Sequence, residues 1–194
     1  DGFSGFNNLG SATCVALADD LLAVGSAGDS AVTLVDVSDP SNPVKRVELK
    51  DGVGGFNSLS IVYGVALSGN LLAITASVDS AVTLVDVSNP GSPVKLNEWK
   101  DGLNADSLQG ARGVAFSGHQ LAVTASGDSA VTVFDLSNPS NPVLAAVARD
   151  QAGGYNHLAG AHGLAFAGTN LLAVAEDSHA VTAMQLAPRP ASLS

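Results

Sequence analysis

A ten-residue string constrains this chain more than anything else in it. Asp29-Ser30-Ala31-Val32-Thr33-Leu34-Val35-Asp36-Val37-Ser38 returns letter for letter as Asp79 to Ser88, an offset of 50 residues. A third copy, Asp128 to Ser137, changes only Val133, Phe134 and Leu136. A fourth survives as Ala180-Val181-Thr182-Ala183-Met184-Gln185-Leu186. A second landmark keeps the period: Cys14-Val15-Ala16-Leu17 becomes Gly64-Val65-Ala66-Leu67, Gly113-Val114-Ala115-Phe116 and Gly163-Leu164-Ala165-Phe166. Repeats of about 50 residues belong to propeller blades rather than to short solenoid coils. The 194 residues therefore read as one domain of four units, 1–50, 51–100, 101–150 and 151–194.

Each unit reads as four short strands punctuated by turns. In the second they run Tyr63–Leu67, Leu71–Ala76, Ala81–Val87 and Val94–Lys100. Ser88-Asn89-Pro90-Gly91-Ser92-Pro93 is the third turn, since proline has no N–H to give a ladder. No helical periodicity competes. Both faces of Ala81-Val82-Thr83-Leu84-Val85-Asp86-Val87 are apolar, whereas a sheet with one wet face alternates apolar and polar. Sheets stacked face to face around an axis meet that demand. Small residues in the first two strands of each unit suit the crowded axis. Lys45, Arg46, Lys50, Lys95, Lys100 and Arg149 crowd the fourth strand, and charge of this kind protects an exposed sheet edge. That strand is the expected outer rim.

Composition removes several functions. Eighteen acidic residues against eight basic ones leave a net charge of −10, the wrong sign for neutralising phosphates in nucleic acid. No apolar run approaches the roughly 18 residues of a membrane span. One cysteine, Cys14, supplies neither an internal disulfide nor a thiolate zinc site. The chain opens on Asp1-Gly2-Phe3 without an initiating methionine, so a processed form or a fragment is expected.

Val32-Thr33-Leu34-Val35-Asp36-Val37-Ser38-Asp39-Pro40-Ser41-Asn42-Pro43-Val44 resembles the core of the LVIVD repeat, and Val82 to Val94 and Val131 to Val143 match it comparably. The resemblance implies an all-β propeller with four-stranded antiparallel blades and a place among bacterial and archaeal surface proteins. An extracellular, cell-surface or periplasmic location follows from it. The fourth unit departs: Gln185 stands where the others have Asp36, Asp86 and Asp135. It ends in Pro188-Arg189-Pro190-Ala191-Ser192-Leu193-Ser194 where an outer strand should begin. The last blade is expected to lack that strand. Three completions stay open: a four-bladed ring with a short last blade, a larger propeller whose remainder is absent or comes from another copy, or an open arc that pairs with a partner protein.

The search for chemistry begins with repeated carboxylates. Asp36, Asp86 and Asp135 precede a turn and suit hydrogen bonding to its backbone N–H groups. Asp29, Asp79 and Asp128 read either as turn residues or as oxygens offered to Ca²⁺, although no dense calcium-loop pattern occurs. No other cofactor is implied. His119, His157, His162 and His179 show no zinc-binding spacing, and no nucleophile elbow, phosphate loop or dinucleotide fingerprint is present. No catalytic residue is assigned. The informative contrast is at one frame just before each first strand, where Thr13, Tyr63, Arg112 and His162 differ completely. On a propeller they approach the axial mouth and are candidates for binding a ligand or partner. Gly5-Phe6-Asn7, Gly55-Phe56-Asn57 and Gly154-Tyr155-Asn156 recur as well. Phe6, Phe56 and Tyr155 read either as wedges between blades or as platforms for stacking a sugar.

These features imply a non-catalytic binding or assembly module. A protein partner or a second copy would complete the propeller. A lectin-like propeller is the alternative, and an enzyme with a site at the axis is a third reading.

Overall fold

In a computed structural model, residues 5–168 and 170–185 are described. They form four antiparallel sheets and no helix. Blade 1 contains β1 (Ala12–Ala18), β2 (Leu21–Ser26), β3 (Ala31–Asp36) and β4 (Val44–Lys50). Blade 2 contains β5 (Val62–Ser68), β6 (Leu71–Ala76), β7 (Ala81–Asp86) and β8 (Val94–Lys100). Blade 3 contains β9 (Ala111–Ser117), β10 (Gln120–Ala125), β11 (Ala130–Asp135) and β12 (Val143–Arg149). Blade 4 has three strands among the described residues, β13 (Ala161–Ala167), β14 (Asn170–Ala175) and β15 (Ala180–Gln185). The expected loss of its outer strand concerns residues 186–194, which lie outside the described residues.

Within every blade the strands pair in chain order, each with the one before it. The tight β2–β3 type of hairpin holds one residue in the left-handed region in all four copies: Ser30, Ser80, Ser129 and His179, at φ near 50°. The tolerance of short polar side chains for that conformation explains three of the four. First strands touch one another across the blades: β1 meets β5, β5 meets β9 and β9 meets β13. They are the inner strands, and β4, β8 and β12 form the opposite edges, which places the basic strand on the rim.

Three seams bury the apolar faces. Ala23, Val32, Leu34 and Leu49 of blade 1 meet Val65, Leu72, Ile74 and Val85 of blade 2. Val82, Leu84 and Trp99 meet Leu121, Val123 and Phe134 in the next seam, with Trp99 and Phe134 stacked at 4.3 Å between centroids. The last seam joins Val131 and Val133 to Leu171, Ala173 and Met184. Each fully buried leucine or valine contributes about 1.5–3 kcal/mol relative to exposure. A blade thus has an incoming face, turned to its predecessor, and an outgoing face, turned to its successor.

The rim charges are engaged locally. Lys45 pairs with Glu48 at 2.8 Å and Lys95 with Glu98 at 3.0 Å. Lys95 also donates to the Gly55 carbonyl at 2.6 Å, tying the rim to the loop that enters its own blade. Arg46 pairs with Asp36, and Arg149 donates through Nε to Ser107 Oγ at 2.8 Å.

Candidate functional site

The inner strands carry an irregularity that strand patterning conceals. Ala12 pairs with Ser26, but Cys14 pairs with Gly25, which leaves Thr13 as an extra residue. The same slip isolates Tyr63 between Val62 and Gly64, and His162 between Ala161 and Gly163. In blade 3 it falls between Ala111 and Val114, spanning Arg112. Thr13, Tyr63, Arg112 and His162 therefore lie inside their strands at β-bulges, not ahead of them as expected from sequence. A bulge breaks the alternation of the pleat and re-aims a side chain.

The bulges are tied to the neighbouring blade, through the side chain at Thr13 and through the backbone carbonyl at Arg112. Thr13 Oγ1 donates to the Val62 carbonyl at 2.8 Å, and Thr75 Oγ1 donates to the Arg112 carbonyl. Glycine permits this closeness: a Cβ on Gly64 would stand 2.2 Å from Arg112 O, and one on Gly113 2.5 Å from His162 O. Side chains at the bulges are freer. Tyr63 is 41% exposed, and the Arg112 guanidinium lies over its ring, 5.0 Å from the centroid. Arg112 Nε, buried, has no hydrogen-bond partner. Tyr63 and Arg112 are thus brought together. Thr13 turns to the seam, and His162 Nδ1 sits 3.3 Å from the carbonyl of Gly160. Beside Thr13, burial pushes the Cys14 thiol up, away from the reactive thiolate.

The repeated carboxylates are engaged with backbone. Ser38, Ser88 and Ser137 donate N–H to Asp36, Asp86 and Asp135 at 2.8–2.9 Å. Hydrogen bonds from Ser38, then Arg46, hold Asp36 down at about 2. Asp29, Asp79 and Asp128 accept N–H from Gly10, Ser60 and Gln109 at 2.7–2.8 Å. Ser178 takes that role in blade 4, accepting from Ala159 at 3.1 Å. Sequence reasoning missed a third set: Asp51, Asp101 and Asp150 accept from Leu59, Leu108 and Leu158 at 2.7–3.0 Å. Their 50-residue recurrence was the available signal. Among the described residues no three His, Cys, Asp or Glu side chains converge as a metal site.

The aromatic loop residues divide. Phe56 is 6% exposed inside the first seam, which leaves its ring no face for a sugar. Tyr155 packs against the third seam. Phe6 is half-buried and lines a groove of about 300 Å³ with Leu9, Leu22, Val24, Val35 and Val37. Fifty residues on, these positions are Phe56, Leu59, Leu72, Ile74, Val85 and Val87, all buried in the first seam.

The groove is therefore the incoming face of blade 1 with no blade against it. Val15 there is 67% exposed, where its counterpart Val65 is 7%. The outgoing face of blade 4 is equally bare: Val181 is 67% exposed against 0% for Val32 and Val82 and 1% for Val131. Gly163 agrees, since a Cβ there would meet only Val174, at 3.7 Å. Among the described residues β13 has no contact with β1 comparable to those between successive inner strands.

A model of the LVIVD repeat matches residues 10–48, 60–98 and 110–148. No curated protein matches the chain in sequence. Among solved structures, the computationally designed Ika4 protein is similar at 16% identity and a TM-score of 0.67, over 93% of this chain and 94% of that one. A Bacteroides uniformis protein provisionally named a 6-phosphogluconolactonase is similar at 13% identity and a TM-score of 0.72, over 94% of this chain and 55% of that one. Hydrazine synthase of Kuenenia stuttgartiensis is similar at 17% identity and a TM-score of 0.68, over 95% and 48%. The chain thus spans about half the length of the last two. These likenesses concern the fold.

Proposed function

The chain belongs to the LVIVD-repeat family, and from that premise we propose that it works as a non-catalytic binding and assembly module. The observation that carries this reading is the pair of bare end faces, on blade 1 and blade 4. Each is built from the positions that form the three internal seams, and exposed apolar surface rimmed by polar residues marks an interaction site. The family resemblance supports a place outside the cytoplasm, on the cell surface or in the periplasm. Tyr63 and Arg112 are the assigned contacts at the axis, with Thr13 and His162 beside them in the repeat frame. Pairs of this kind dominate binding hot spots.

The lectin alternative loses ground with Phe56, whose ring is closed in by the first seam. Catalysis at the axis would rest on Arg112, His162 and Tyr63; the Arg112 guanidinium lies over the Tyr63 ring, whereas His162 Nδ1 faces the Gly160 carbonyl.

Photo-crosslinking in the source organism tests the reading. A crosslinking residue at Val24 or Val181 is expected to yield covalent adducts, and one at Val78, on an exposed hairpin turn, none. If the end faces yield no adduct while the protein is folded and abundant, the assembly reading is lost.

A further inference from the structure

The two bare faces are not merely apolar; they are the two halves of one joint. In each internal seam the outgoing face of one unit lies on the incoming face of the next, and among the described residues one face of each kind is uncovered. We propose that two copies of this chain associate head to tail. The outgoing face of blade 4 in one copy seats on the incoming face of blade 1 in the other, twice over, closing a ring of eight blades. The proposal rests on the assembly reading and names its partner.

Continuity with established seams identifies the occupant. Val181 and Ala183 stand in the repeat frame of Val131 and Val133, which cover Leu171 and Met184. They also stand in the frame of Val32 and Leu34, which cover Ile74 and Val85. Leu22, Val24 and Val35 occupy the receiving positions on blade 1. The backbone agrees with the side chains. Gly64 and Gly113 admit the bulge carbonyl of the following blade, Arg112 O and His162 O. Gly163 keeps the same opening, and the carbonyl that would enter it in the ring is that of Thr13 in the second copy.

A contact between two different patches of one molecule closes into a ring or runs on as a filament. Among the described residues β1 and β13 of one copy form no seam like those between successive blades, and in the proposed ring each is covered by the other copy. Both copies are acidic, at −10 each, so added salt should strengthen the association by screening their repulsion while the apolar joint persists.

Light scattering on the purified full chain, across a concentration series, gives the test. The expected species is twice 19.3 kDa. Val181→Asp places a charge at a position exposed in the single arc, so the fold, followed by circular dichroism, should persist while dimer affinity falls at least roughly 30-fold. Val24→Asp should do the same from the other side. Mixing the two variants restores one intact joint, so dimers should reappear in the mixture and in neither component alone. A monomer at every concentration, a dimer indifferent to both substitutions, or a mixture that stays monomeric would overturn the proposal. Should a monomer accompany cellular adducts from Val24 and Val181 to a different protein, the second copy is excluded and the assembly reading stands.

Discussion

The turn carboxylates and the bulge residues are both defined by the repeat, yet they spend their polar groups in opposite ways. At Asp36, Asp79 or Asp101 the side chain recurs in three copies, and its oxygens close a loop onto backbone N–H groups. At Tyr63 and Arg112 the backbone meets that structural demand: the Arg112 carbonyl accepts from Thr75, and Gly64 and Gly113 let adjoining strands approach. The side chain is released from the fold's requirements. A repeat protein can thus hold its scaffold still while varying the chemistry at its axis, provided the variable side chain sits where only the main chain is needed.

The largest effect should come from breaking the backbone half of this contrast. Gly64→Ala puts a methyl 2.2 Å from Arg112 O and should cost about 3 kcal/mol in urea unfolding. Gly163→Ala, where the nearest atom is at 3.7 Å, should change stability by less than about 0.5 kcal/mol at concentrations too low for association. Equal losses at the two glycines would remove the distinction between a filled seam and an open one.

Next comes the side-chain half. Asp79→Ala orphans the Ser60 N–H and releases Lys100, whose Nζ lies 3.0 Å from Asp79 Oδ1. A loss of about 1–2 kcal/mol is expected in the same unfolding measurement. Smaller again are Tyr63→Ala and Arg112→Ala, each expected to cost less than about 1 kcal/mol, the scale of an exposed cation–π pair. A loss at Tyr63 as large as that at Asp79 would make the bulge side chain a structural element.

Acid should produce the smallest change. Ser38, Ser41, Lys45 and Ser88 hold Asp36, Asp39, Glu48 and Asp86, respectively, below their ordinary values. A carboxyl lowered in the folded chain contributes stability above its unfolded pKa and loses it as pH falls through the folded one. Thermal midpoints should therefore stay level above pH 5 as far as these groups are concerned, and decline from about pH 4 toward about 2, where Asp36 titrates. Asp36→Asn should blunt that decline, and an unchanged slope would remove Asp36 from the account.

Much of this architecture was readable in the letters. The paired prolines and the recurring apolar strings located the strands to within a residue: the expected Tyr63–Leu67 corresponds to β5 at Val62–Ser68. Lysine on the fourth strand marked the rim, because edge protection has a chemical signature. The bulges had none. An extra residue in a strand is a matter of pairing, and nothing in the identity of Thr13 or His162 distinguishes it from a neighbour. Nor did Phe56 declare its direction, since a glycine before an aromatic fits an inward wedge or an outward platform equally well. The bare end faces were legible only as one of three completions, for a related reason: Val15 and Val65 are the same amino acid in the same frame, and only a blade packed against it separates one from the other.

The identity of β3 and β7, Ala31–Asp36 and Ala81–Asp86, has a consequence for how the chain finds its shape. Neither β2 nor β6 can tell the two apart by side chain, so an exchanged pairing would be nearly as comfortable as the correct one. Proximity along the chain decides: a hairpin turn of about four residues closes far sooner than a loop of about fifty. Dilute refolding should thus recover the right partners, while crowded refolding should yield interlocked molecules that trade identical strands.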